Sequence, residues 1–198
     1  MNAETDRPLI DFVEGEISLH ALQKIISQNK SLEESIRSAP PIPPYSSLSE
    51  DLFDYLTQLS PEGSESGINA QDAICQLLDL RGINFKKSDI YESLFNLKAK
   101  VEPKWLDIDD RYFMEILNSV KKEGEKGVSG RLKKEILSKF KYTDKPPKWL
   151  QSPQWPIRNN VPLKFLKQTK NNSLHDEAYD YIFINEDTGV MEVVTQSA

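Results

Sequence analysis

Apolar residues recur every three or four positions through the first 140 residues and give way to alternating, β-branched runs near the end of the chain. The first spacing lines one face of a helix, the second one face of a strand. After a short apolar turn at Leu9, Ile10, Phe12 and Val13, Ser18 is placed to cap a helix with Leu19, Leu22, Ile25 and Ile26 on one side. Ser31-Leu32-Glu33-Glu34 has capping-box spacing and opens a short helix through Ile36. Pro40, Pro41, Pro43 and Pro44 must end it, because proline fixes φ and lacks the donor; the stretch to Tyr45 reads as a stiff, extended connector.

Further helices are predicted from Ser49, with Leu52, Phe53, Leu56 and Leu59 inward and Asp51 and Asp54 outward, and from Asn69 to a glycine stop at Gly82. Others follow from Ser88, from Asp107 or Asp109, and from Ser129, the last carrying Leu132, Ile136, Leu137 and Phe140. Pro61 to Gly67 reads as a polar loop.

From Pro146 to Pro156 the prolines exclude helix. Residues 162–170, with Leu163, Phe165 and Lys167 on one face, read as a strand, and 179–184 and 190–195 as a hairpin turning through Asn185-Glu186-Asp187-Thr188-Gly189. A lone hairpin is marginal, so the three strands are expected to form one antiparallel sheet resting on the helical part. The predicted class is α+β: a helical bundle over residues 1–145, then a Trp/Pro loop and β module over 146–198. No repeat recurs at a fixed period.

Composition adds a compartment and a charge layout. Hydrophobic residues make up 38% and charged residues 28%, as in a chain that buries a core. No run reaches the length of a membrane span, Met1 to Pro8 lacks signal-peptide character, and Cys75 stands alone, so a cytoplasmic protein is expected. The net charge of -6 is uneven: residues 1–60 carry -6 and residues 121–150 carry +6. An acidic surface steers basic partners toward itself and repels nucleic acid.

Chemistry is sparse by comparison. His20 falls on a helix surface, Cys75 in an apolar helical pattern, and His175-Asp176 in a polar loop. Asp107, Asp109 and Asp110 lack the glycine and closing glutamate of a calcium loop and suit a helix N-terminus instead. Gly124, Gly127 and Gly130 follow no strand, so they are not a phosphate loop, and the lysines from Lys121 to Lys148 surround an apolar face without interleaved aromatics, as a solvated helix would. No catalytic residue, metal ligand or cofactor is expected. An enzyme with a site between the helical and β parts, using His175, Asp176 and the tryptophan loop, stands as the alternative, and a non-inhibitory adaptor or scaffold as another.

Trp149 and Trp155, set among four prolines, make a rigid loop of large apolar area. It suits a plug over the sheet, with both indoles largely buried, or an interface anchor. The run Pro-Pro-Lys-Trp-Leu-Gln-Ser-Pro-Gln-Trp-Pro from Pro146, with Pro162-Leu163-Lys164-Phe165-Leu166-Lys167-Gln168, resembles a C-terminal module of bacterial toxin-immunity proteins. Ile10 to Ser18 is similar to the start of some small helical immunity proteins. The glycine usual before the glutamine of that motif is replaced by Lys167. The resemblance implies a cytosolic protein that binds and blocks a cognate toxin and transfers no catalytic residue. With the charge layout, it points to a basic toxin, plausibly a nuclease, and to Glu33, Glu34, Glu50, Asp51, Asp54, Trp149 and Trp155 as partner-binding residues.

Overall fold

The structure, a computed structural model, describes residues 5–124, 126–173 and 177–198. Its fold is α+β, with eight helices among the described residues, mostly N-terminal, and the strands C-terminal. The chain divides into two compact units between Asn96 and Leu97. That division falls well before the composition change at 145/146, so the last two helices share a unit with the sheet.

In the first unit, α1 (Arg7–Val13), α2 (Leu19–Gln28), α3 (Lys30–Arg37), α4 (Leu52–Gln58) and α5 (Ser64–Leu80) surround one core. Leu9, Phe12, Leu22, Ile26, Leu32, Ile36, Leu56, Ile74 and Leu77 are fully buried there. Ser18 caps α2, accepting from the Ala21 amide, as its position predicts. The cap of α3 is Asn29, whose side chain accepts from the Leu32 amide, so the helix starts ahead of the Ser31 box. Asp51, not Ser49, caps α4 by accepting from the Asp54 amide. A serine two residues upstream cannot reach that donor.

The largest departure is at α5, which begins at Ser64 rather than near Asn69. Gly67, expected in a loop, is buried inside the helix, and a Cβ there would lie 2.1 Å from the Tyr91 ring. A helical glycine is unfavourable by roughly 1 kcal/mol relative to alanine. Here it lets the Tyr91 ring seat against the helix backbone, where the Tyr91 hydroxyl accepts from the Leu19 amide at 2.9 Å. Tertiary packing overrides local propensity. Gly82 (φ +66°) follows the end of α5 as expected.

The division falls within α6 (Ile90–Val101). In the second unit, α7 (Asp110–Lys122) is capped by Asp109, which accepts from the Arg111 and Tyr112 amides. It packs on α8 (Val128–Lys139), and Phe113 and Ile116 of α7 and Leu132 and Ile136 of α8 are buried. Leu137, expected inward, is 42% exposed, because α8 turns only Leu132 and Ile136 fully into the core.

The sheet is antiparallel in the order β3 (Lys164–Lys170), β4 (Ala178–Ile184), β5 (Met191–Ser197). A bulge between Phe165 and Lys167 resets the alternation of β3. Phe165 and Gln168 then share the face of Phe183 and Tyr181, and Lys167 turns out to solvent rather than inward. The predicted hairpin turn forms, with the Asn185 side chain accepting from the amides of Asp187 and Thr188 and Gly189 at φ +71°. A two-residue hairpin, β1 (Ile157–Arg158) with β2 (Val161–Pro162), turns through Asn159 and Asn160 at φ +51° and +61°. The Asn-Asn pair between prolines is its signal in the sequence, since asparagine tolerates the left-handed region that such turns require.

Candidate functional site

Three of the five predicted partner-binding acids meet at one point, around a residue the sequence reading did not single out. Glu33 and Arg37 lie one turn apart on α3, bordering the face of buried Leu32 and Ile36, and the Arg37 Nε donates to Glu33 Oε1 at 2.9 Å. The proline segment reverses the chain and brings the N-terminus of α4 alongside. Arg37 Nη1 then reaches Asp51 Oδ2 at 2.6 Å, and Nη2 reaches Asp54 Oδ1 at 3.0 Å. The guanidinium also lies 4.2 Å above the Phe53 ring, a favourable cation–π placement.

Asp51 therefore works twice: Oδ1 caps α4 and Oδ2 holds Arg37. Burial pushes its carboxyl upward, but the Asp54 amide and Arg37 outweigh that and hold it below the ordinary aspartate value. The hydrogen bonds that Arg37 donates to Asp54, Glu33 and Asp51 raise its pKa further above its already high value. The expectation of freely projecting carboxylates is corrected for Glu33, Asp51 and Asp54, whose side chains are only 31%, 25% and 22% exposed. Glu34 and Glu50 are exposed and form no ion pair among the described residues. Three carboxylates on one guanidinium leave a local excess of two negative charges. The Glu33–Arg37 half of the cluster was legible as an i,i+4 pair; the contacts across to Asp51 and Asp54 were not.

The setting is acidic well beyond this cluster. Residues 1–96 hold sixteen acids and seven bases, a net charge of -9, while residues 97–198 hold fifteen acids and eighteen bases, net +3.

The two tryptophans belong to the inner face of the sheet. Trp155 is 8% exposed, with its indole Nε1 donating to the Leu163 carbonyl at 2.7 Å. Its ring lies against Trp105, Phe140 and Phe183 at centroid distances of 5.4, 5.6 and 5.3 Å. Trp149 is half-buried rather than largely buried. It packs on the Tyr181 ring at 4.5 Å, and its Nε1 donates to the Trp105 carbonyl at 2.9 Å. The loop acts as a plug within the second unit, tied down by Tyr181 and by Gln196, whose Oε1 accepts from the amides of Leu150 and Gln151.

Other candidates resolve into structural roles. Asp109 caps α7, and Asp110 pairs with Lys98 at 2.6 Å. Cys75 is half-buried beside the core, and burial pushes its thiol up to about 11, far from a neutral-pH thiolate. His20 is exposed on α2. His175 and Asp176 lie outside the described residues. A polar cleft of about 370 Å³ in the second unit includes Lys139, Lys141, Lys164 and Glu186, and Lys141 and Lys164 both pair with Glu186. Among the described residues, no group of three potential ligands is placed to hold a metal ion, and no helix is long and apolar enough to cross a membrane. No protein-family model, curated protein or solved structure matches the chain.

Proposed function

We propose that this protein is an immunity protein: a cytoplasmic inhibitor that binds a cognate toxin domain of basic charge, such as a nuclease, with no reaction of its own. The observation that carries the reading is the Arg37 cluster. Carboxylates from two helices are fixed in place before any partner arrives, so little side-chain freedom is left to lose on binding. Each carboxylate accepts more hydrogen bonds than Arg37 supplies, which leaves acceptor sites for a partner's arginine or lysine. Glu34 and Glu50 extend the same charge into solvent, and the -9 balance of the unit supplies the longer-range field. The likeness of the Trp/Pro segment to immunity modules supports the same class.

The test begins with affinity capture of the full chain in its native host and identification of the retained proteins by mass spectrometry. The expected result is a basic toxin domain whose association slows with added salt. Glu34→Lys with Glu50→Lys is the first variant to try, because neither side chain holds the fold together. It should lower the association rate, flatten the salt dependence, and weaken protection of toxin-expressing cells. A captured partner that is acidic, or an association rate indifferent to these changes at low salt, would overturn the reading.

A further inference from the structure

The two edges of the C-terminal sheet are built differently. β3 carries Lys164, Lys167 and Lys170, is broken by the bulge after Phe165, and is bordered by the chain leaving α8. There the Phe165 amide donates to the Lys141 carbonyl and the Thr143 amide to the Phe165 carbonyl. Lysines, a bulge and a covering segment are the devices by which proteins keep a sheet edge from pairing. Among the described residues β5 has none of them. Its sequence, Met-Glu-Val-Val-Thr-Gln-Ser, holds one charge and no proline, and its register against β4 runs without interruption. On its outer face Met191 and Val193 are 66% and 53% exposed.

The hydrogen bonds at the two ends of the hairpin fix which backbone groups face outward. The Asn185 amide donates to the Val190 carbonyl, and the Ala198 amide to the Glu177 carbonyl. Antiparallel pairs alternate, so Glu192, Val194 and Gln196 direct their backbone groups to β4, and Met191, Val193, Thr195 and Ser197 direct theirs to the open side. The Ser197 carbonyl is already held by Gln151 Nε2 at 2.6 Å. The remaining positions, Met191, Val193 and Thr195, are symmetric about Val193.

We infer that β5 is a self-association edge, pairing antiparallel with β5 of a second copy about a two-fold axis at Val193. In that register Val193 faces Val193, Met191 faces Thr195, and about six backbone hydrogen bonds form. Glu192 faces Val194, so no like charges meet; its carboxylate is also neutralised by Arg158 on the inner face. Exposed Met191 and Val193 join those of the second copy in one apolar stripe. The result is a six-stranded sheet whose two outer edges are both lysine-bearing β3 strands, so assembly stops at two copies. Isologous pairing of this kind closes on itself. Strand pairing alone buries less than the roughly 1,200 Å² of a durable interface, so the dimer is reversible and depends on concentration.

Sedimentation velocity on the full chain from about 10 µM to about 1 mM spans the range in which such weak dimers form. The wild-type protein should shift from monomer to dimer across that range, and Val193→Lys should remain monomeric. Hydrogen exchange supplies a second readout that needs no variant. With rising concentration, the amides of Met191, Val193 and Thr195 should slow, and those of Glu192 and Val194, already bonded to β4, should not change. A monomer throughout the range overturns the inference, as does a dimer that survives Val193→Lys while these three amides stay unprotected.

Discussion

Gly67 and Tyr91 are matched: the missing Cβ of one is the space the aromatic ring of the other fills, with an added carbon 2.1 Å from the ring. The contact is in the interior of the first unit, where Tyr91 also packs on Phe12 at 5.6 Å. Gly67→Ala should therefore destabilise the protein by about 1–3 kcal/mol, the range for overpacking, even though alanine is the better helix former. Urea unfolding measures this. In a Tyr91→Ala background the same substitution should be neutral or stabilising; an equal loss in both backgrounds would disprove the match.

Asp6 and Arg81 form a buried pair, 2% and 5% exposed, with Arg81 Nη2 also donating to the Ser35 carbonyl at 2.7 Å. The pair ties the start of α1 to the end of α5 and to α3. Removing one partner strands a charge in the interior, so Asp6→Ala or Arg81→Ala should each cost about 3–5 kcal/mol. Because the two act as a unit, the double variant should lose far less than the sum of the single losses. Additive losses would show that the residues act separately.

The carboxyl of Asp51 is held below its ordinary value of 3.8, which sets a sign for the pH dependence of stability. A lowered folded pKa stabilises the protein above the unfolded value, and that contribution disappears as the pH falls through the folded one. Arg37→Gln removes part of the cause, so the decline in thermal midpoint below about pH 4 should be shallower in this variant than in the wild type. It should also begin from a lower midpoint at pH 7. Identical acid profiles would mean that the Asp54 amide alone sets the shift.

Trp155 and Trp149 should separate clearly on truncation. Trp155→Ala empties a site bordered by the rings of Trp105, Phe140, Phe165 and Phe183 and should cost about 3–5 kcal/mol, the range for buried aromatics. Trp149→Ala, half-exposed and anchored by one indole hydrogen bond, should cost less. Unfolding free energies rank the two, and acrylamide should quench Trp149 more readily than Trp155. The reverse order would contradict the placement of the loop.

Features that depend on neighbours along the chain could be read from the residues alone. Helical periodicity marked the inward faces of α2, α3 and α7, Ser18 and Asp109 announced the caps of α2 and α7, and Asn185 with Gly189 announced the hairpin. These signals are local because a helix turn or a tight turn is closed by residues three to five positions apart. The proline run at Pro40–Pro44 likewise declared that α3 must end. The tertiary structure alone decided what depends on residues far apart in sequence. Gly67 reads as a loop until Tyr91 arrives to fill its space. Asp51 and Asp54 read as solvated acids until the reversed chain brings them to Arg37, fourteen and seventeen residues earlier. The inward or outward sense of Lys167 was set by a bulge, and Leu137 was left exposed by the way α8 meets its neighbours. A periodic pattern specifies that a face will be buried, but not what will cover it. The covering residue determines whether a charge is free or paired and whether a glycine is a break or a fit.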